Sequence, residues 1–420
     1  MLVAEYVVFP IPFFILAMLP PFYVVFLVTF RLILGVSAIR YLLSRRDQVV
    51  RFAVIIASQT TPAVIYPVYE MAFRRTEGTH YQFLVILLLP VIKLAVKNIV
   101  LRCSAEMEDM VPQTVIFTAD YFNAIYIATC MQSASSFTTI SAMILVDLLQ
   151  TSIMLYGLHR RTNDCVVTFR QAVDSAITSD NLLVIFCWLC QNPQKLAKQD
   201  CVGIRRRSCL PHRISRDGER VLESLERAPN MAKGLRSQST NTVLVGPKLT
   251  ISPLRKVSSA PSRPTFSLWK STRAIFPSSA IVQTRKDNIL RDTLELLFTT
   301  ECLVTTVYLE TIVPFFYCSY MLVMVHLQSA QYHTEMAQVT RENVATTVFP
   351  VFMFGLLQIA SFWVLAVVIK RNCGIRALYQ LAFMLETQMI LVQSKLIFWL
   401  IVMLCFRVKH FGVDFSFQFI

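Results

Sequence analysis

Ionisable and amide side chains set inside apolar runs are where this chain has chemistry to offer. Lys93 and Lys97 lie in one such run, Asp120, Asn123 and Gln132 in the next, and Asp147 and Gln150 in the one after that. Glu301 and Glu310 come later, and Glu386 and Lys395 stand near the end. A charge at membrane depth is costly, so such residues are rare and face one another or a water-filled path. Lys93 and Lys97 are four apart and share a helical face. Asp120 with Asn123, and Asp147 with Gln150, are three apart and do the same. Two readings follow. In the plain one, acids and lysines pair between helices and fix the packing, and those near span ends reach the interface. In the other they line a path for an ion or small solute. Water access separates the two, because a path needs a cavity and pairing needs only contact.

The elements that must hold these groups are membrane helices. Of 420 residues, 55% are hydrophobic, with a mean hydropathy of +0.54, only 10 Gly and as many as 30 Phe. Soluble domains sit lower, near 45–50% apolar. Two runs, 114–131 and 137–158, meet at the small polar knot Gln132-Ser133-Ala134-Ser135-Ser136, and each is long enough to cross a hydrocarbon core. Asp120 is expected to face a neighbouring helix. Antiparallel packing of consecutive spans makes Lys97 its nearest cation, since Lys93 sits deeper.

Taken in order, the chain reads as eight spans. The first follows the prolines at 10, 12, 20 and 21 as a helix from about Phe22. The next four are 52–73, 81–101, 114–131 and 137–158. The last three are 288–327, 344–369 and about 381–408, the final one holding Glu386 and Lys395. The segment 162–191, with a short apolar part at 182–190, reads as an interfacial amphipathic helix. Residues 192–286 are rich in Arg, Ser, Pro and Thr and read as a disordered loop. The fold class is therefore all-α: a polytopic bundle with a first membrane block at 1–161, the interfacial helix, the loop, and a second block at 287–420.

Charge supplies orientation. Residues 191–292 hold 20 Lys and Arg against 7 Asp and Glu, which is 13 of the formal +14. Arg40, Arg45, Arg46 and Arg51, Arg160-Arg161 and Lys370–Arg376 fall on one side of an eight-span chain, together with the basic loop. Positive-inside places that side in the cytoplasm and both termini outside. The partners expected are the bilayer and, through the loop, anionic lipid head groups. Nucleic acid is not expected, because no nucleic-acid-binding motif accompanies the charge.

Other chemistry is not signalled. The chain lacks a Gly-rich phosphate loop, Gly-x-Ser-x-Gly and His-Glu-x-x-His, so neither an enzyme nor a cofactor is expected. Cys187, Cys190, Cys201, Cys209 and His212 can be written as a zinc set. Their gaps are irregular, and membrane-edge thiols are the plainer reading. With 11 cysteines in no spaced framework and no N-x-Ser/Thr sequon, a large extracellular domain has no support.

Six motifs carry a family resemblance: YPVYE (66–70), LLLPVIKLAVKNIV (87–100), DYFNAIYIATCMQSASS (120–136), ELLFTTECLVTTVYLETIVP (295–314), LETQMILVQSKL (385–396) and HFGVDFSFQF (410–419). Both membrane blocks, in this order around a variable basic loop, resemble a large family of multi-pass membrane proteins of plant-pathogenic oomycetes. The resemblance implies a membrane fold and a lineage, and it brings no catalytic residue with it. The function expected is transport or a channel-like role. The alternative is a receptor or scaffold whose basic loop docks partners or anionic lipid.

Overall fold

The computed structural model describes residues 14–76, 78–79, 81–104, 111–134, 136–172, 182–191, 209–210, 216, 219–220, 289–405, 409–410 and 413–414. Within them the regular structure is helical apart from one ladder between Lys409–His410 and Val413–Asp414. The helices are α1 (Phe14–Ser44), α2 (Arg46–Arg75), α3 (Gln82–Ser104), α4 (Val111–Val115), α5 (Tyr121–Ser133), α6 (Phe137–Ala172), α7 (Leu182–Gln191), α8 (Ile289–Met324), α9 (Val344–Cys373), α10 (Ala377–Thr387) and α11 (Met389–Cys405). A π-helical turn, Ile116–Asp120, joins α4 to α5 without a break. Residues 111–133 thus form one continuous helix about 35 Å long.

That central helix is the core. Every residue from 113 to 131 is buried. It is enclosed by α2, α3, α8 and α9, with α6 against its far end. Tyr66 stacks on Phe122 and Tyr126, and Trp399 meets Phe122 edge-on at 4.9 Å. The Tyr121 hydroxyl donates to the Leu396 carbonyl at 3.0 Å. α8 and α9 form the most extensive helix pair among the described residues. Their approach needs Gly355, where an added Cβ would lie 3.0 Å from the Phe315 ring. Gly374, at φ 75°, ends α9 in the left-handed conformation and donates its N–H to the Lys370 carbonyl at 3.1 Å, as helix ends commonly do.

Contacts at the two ends fix the bundle. At one end Thr139 donates to Gln82, and Gln132 donates to the Glu335 carbonyl. At the other, Asn372 meets His159 at 3.0 Å, and Cys165 meets Thr293. The second end carries Arg46 at the start of α2, Arg160 and Arg161 on α6, and Lys370 and Arg371 on α9.

Five helices are long and apolar enough to cross a membrane, and a sixth crossing arises if α10 and α11 count as one broken span. The sequence reading expected eight. Its first span contains a shorter apolar helix, Pro20–Val36, ending near a kink at Gly35. Its fourth is divided by the π turn into pieces each too short to qualify alone. Three boundaries also move. α1 begins at Phe14 and runs through Pro20-Pro21 instead of starting after them. α6 passes straight through Arg160-Arg161 to Ala172, because arginine is a good helix former and two charges at a membrane edge do not end a helix. The final span is bent by 82° between Thr387 and Met389, where Glu386, Thr387 and Gln388 form a polar stretch. The loop expected at 192–286 lies outside the described residues, apart from Cys209, Leu210, Arg216, Glu219 and Arg220. Cys209 and Leu210 are buried, and Cys209 meets Thr305 of α8 at 3.5 Å.

Candidate functional site

Asp120 ends the π turn, and its side chain is completely enclosed, at 0% exposure. A π turn inserts a residue into the helical repeat and re-aims the side chains beyond it, a device often found at functional sites. Lys97 Nζ lies 2.7 Å from Asp120 Oδ1, and Lys93 Nζ lies 3.3 Å from the same oxygen. Lys93 also donates to Glu310 Oε1 at 2.6 Å. Thr306 Oγ1 donates to the other Asp120 oxygen at 3.3 Å. Lys93 therefore bridges the central helix and α8, with 13% of its own side chain exposed and 15% of Glu310.

Asp147 extends the set from α6. Gln358 on α9 donates its amide to Asp147 Oδ2. The Asp147 carboxylate is within electrostatic range of Glu310 and Lys93. Four helical layers, α3, the central helix, α8 and α6, thus bring five ionisable groups together, and α9 supplies a neutral donor. Breaking one partner out of a buried, hydrogen-bonded pair costs about 3–5 kcal/mol, because the remaining charge is stranded.

The other sequence candidates divide. Asn123 is buried one turn beyond Asp120, and its Oδ1 has no hydrogen-bond partner among the described residues. Gln132 is about 18 Å along the axis from Asp120 and belongs to the bundle end. Tyr317 donates to its Oε1 at 2.9 Å, and its amide donates to the Glu335 carbonyl at 3.3 Å. Gln150 is half-buried on α6 and takes no part in these ion pairs. Glu301 is half-buried, closer to the basic end of α8. Lys395 donates to Gln59 at 3.0 Å, tying α11 to α2 away from the network. Glu386 is exposed, just before the bend that follows Thr387.

Three participants were missed from sequence. Gln358 is an amide in an otherwise strongly apolar span, a readable signal. Thr306 gives no signal, since a helical threonine usually bonds its own backbone. Tyr66 is fully buried within range of Lys93 and Asp120, and its hydroxyl has no hydrogen-bond partner among the described residues. Also among the described residues, no group of three or more His, Cys, Asp and Glu side chains is gathered for a metal ion.

The fold and the buried charges together define a class: a helical, membrane-integral protein with an ion-pair network between its helices. Comparison with protein-family models, with curated proteins and with solved structures gave no match.

Proposed function

We propose that the chain is a multi-pass membrane transporter for small solutes, a member of the oomycete membrane family its motifs resemble. The observation that carries this is Lys93, an ammonium held between Asp120 and Glu310 on two other helices. Charge of this kind inside a membrane bundle is a mark of substrate and ion pathways and of proton relays. A lysine with two acids can exchange one partner for the other as helices shift. A single closed pair offers no such alternative. The Tyr66 hydroxyl and Asn123 Oδ1, both without a hydrogen-bond partner among the described residues, favour a water molecule at the network over packing alone.

In this proposal α1, the continuous central helix and the α10–α11 pair also cross, giving eight spans. The basic ends of α2, α6 and α9 face the cytoplasm with the 192–286 loop, which binds anionic lipid head groups. The test is uptake into proteoliposomes across a panel of charged and neutral small solutes. Wild-type protein is expected to move at least one of them, and Lys93→Met to move it at least tenfold more slowly while still eluting as one species. If folded wild-type protein moves none of the panel, the transport reading falls, and the receptor or scaffold reading takes its place.

A further inference from the structure

Among the described residues, the charges of this network do not balance. Lys93 and Lys97 supply two positive charges, and Asp120, Glu310 and Asp147 supply three negative ones. Fully ionised, the set would hold one net negative charge inside a low-dielectric bundle, and an uncompensated buried charge is what proteins avoid. The imbalance has a location. Both lysines lean on Asp120, Lys93 reaches on to Glu310, and Asp147 is left with the neutral amide of Gln358 as its hydrogen-bond donor.

We infer that the network holds one exchangeable proton, carried on Asp147, the acid without a lysine partner, and that this proton is the coupling ion of the transporter. The coupling half rests on the transport reading above; the proton site itself does not. A metal cation fits poorly. Sodium-like or divalent ions ask for several oxygen ligands, and here the Lys93 ammonium already occupies Glu310 at 2.6 Å and would repel a second cation.

A second, independent observation points the same way. Tyr66 is 0% exposed, its hydroxyl lacks a hydrogen-bond partner among the described residues, and it lies within range of Lys93 and Asp120. The Asn123 Oδ1, one turn beyond Asp120, is likewise buried and without a hydrogen-bond partner among the described residues. Enclosed polar atoms of this kind are where a water molecule takes up residence, and such water gives the proton a carrier. Among the described residues, Glu310 of α8, Lys93 of α3 and Gln358 of α9 lie within reach of Asp147, and Lys97, Asp120 and Tyr66 group around the other side of Lys93. Glu301, on α8 itself, is half-buried about 13 Å along the axis from Glu310. Release breaks one carboxylic O–H bond, the electron pair stays on the carboxylate, and water takes the proton.

Infrared difference spectra of the full chain, in a detergent without ester groups, count protonated carboxyls at neutral pH. Wild type minus Asp147→Asn should leave one protonated-carboxyl band, and wild type minus Glu310→Gln the same, because either variant makes the remaining charges cancel. Lys97→Met removes a positive charge and should gain a second such band. The exposed Glu386→Gln should change nothing. Elution volume and far-ultraviolet circular dichroism identify a misfolded variant, and the isosteric Asp147→Asn and Glu310→Gln serve as checks on each other. A wild-type spectrum matching both neutralised variants overturns the inference. A band that disappears when Na+ or K+ replaces choline at fixed pH also overturns it, assigning the charge to a metal cation. Proteoliposomes separate the two proposals. Solute flux without the band keeps transport and overturns the proton, and the band without flux keeps the proton site and overturns coupling.

Discussion

Two apolar helices of this chain live in opposite surroundings. α1 exposes nearly every described residue of its apolar stretch, with Leu32 at 79%, and packs mainly on α2 and α11. The central helix is buried from 113 to 131 on every face. Both are rich in Phe, Tyr, Ile and Val. They differ in their polar residues, which leave the central helix the less apolar of the two. The Pro20–Val36 stretch has Thr29 and Arg31, whereas the central helix has Thr114, Thr118, Asp120, Asn123 and Thr129, all buried. A helix facing lipid gains nothing from such groups, and a helix facing other helices can satisfy them. Regular placement of polar residues through an apolar run is therefore the mark of an interior span.

The sharpest way to break the comparison is to strand a charge. Asp120→Ala leaves Lys97 without its 2.7 Å partner and Lys93 with Glu310 alone. A loss of about 3–5 kcal/mol is expected, read as the collapse of monodisperse yield in mild detergent. Asp120→Asn should be milder, since it keeps the shape and one acceptor. Adding Lys97→Ala to Asp120→Ala should restore part of the yield, because neither charge is then stranded and Lys93 still pairs with Glu310. Additive losses in the double variant would mean that Asp120 and Lys97 are not energetic partners. Leu27→Ala, at a lipid-facing position of α1, should change yield little.

Apolar truncation tests the same contrast without charge. Phe122→Ala removes a ring packed between Tyr66 and Trp399 and should cost about 3–5 kcal/mol. Phe26→Ala, on the exposed face of α1, should stay within about 0.5 kcal/mol. The readout is the midpoint of thermal unfolding in one detergent. Equal shifts would mean that the central helix is not the core.

Much of this arrangement was legible. The apolar runs locate the helices, and Asp120 and Lys97 are close enough in sequence for antiparallel packing to bring them together. Glu310 was named as a candidate, but its partner was not, because Lys93 lies 217 residues away and hydropathy says nothing about which distant helices touch. The π turn was illegible too, since no residue type demands it. The 82° bend after Thr387 gave no signal either; before it Glu386 is exposed, and beyond it Lys395 meets Gln59. The same limit applies to Gln358, whose importance depends on Asp147 facing it from another helix.

The smallest expected effect concerns the cover over the far end of the central helix. Between α8 and α9, the turns Gln328–Tyr332 and Thr334–Met336 put the Glu335 carbonyl on Gln132. His333 sits between these turns, half-buried, and its enclosed Nδ1 has no hydrogen-bond partner among the described residues. Burial holds its imidazole below the ordinary value of 6.5. Glu335 beside it would favour the charged ring, while His326, Arg341 and Glu342 are exposed, so desolvation sets the direction. Because the docked state binds the proton less well than the released loop, docking is fully stable above 6.5 and weakens as pH falls through the lowered value. Hydrogen exchange of amides 326–339, corrected for intrinsic rate, should therefore rise between about pH 7 and pH 5.5, while amides 121–131 stay protected. His333→Gln should flatten the response. If wild type and His333→Gln lose protection alike, another group senses the acid, and the cover is held by something other than a neutral His333.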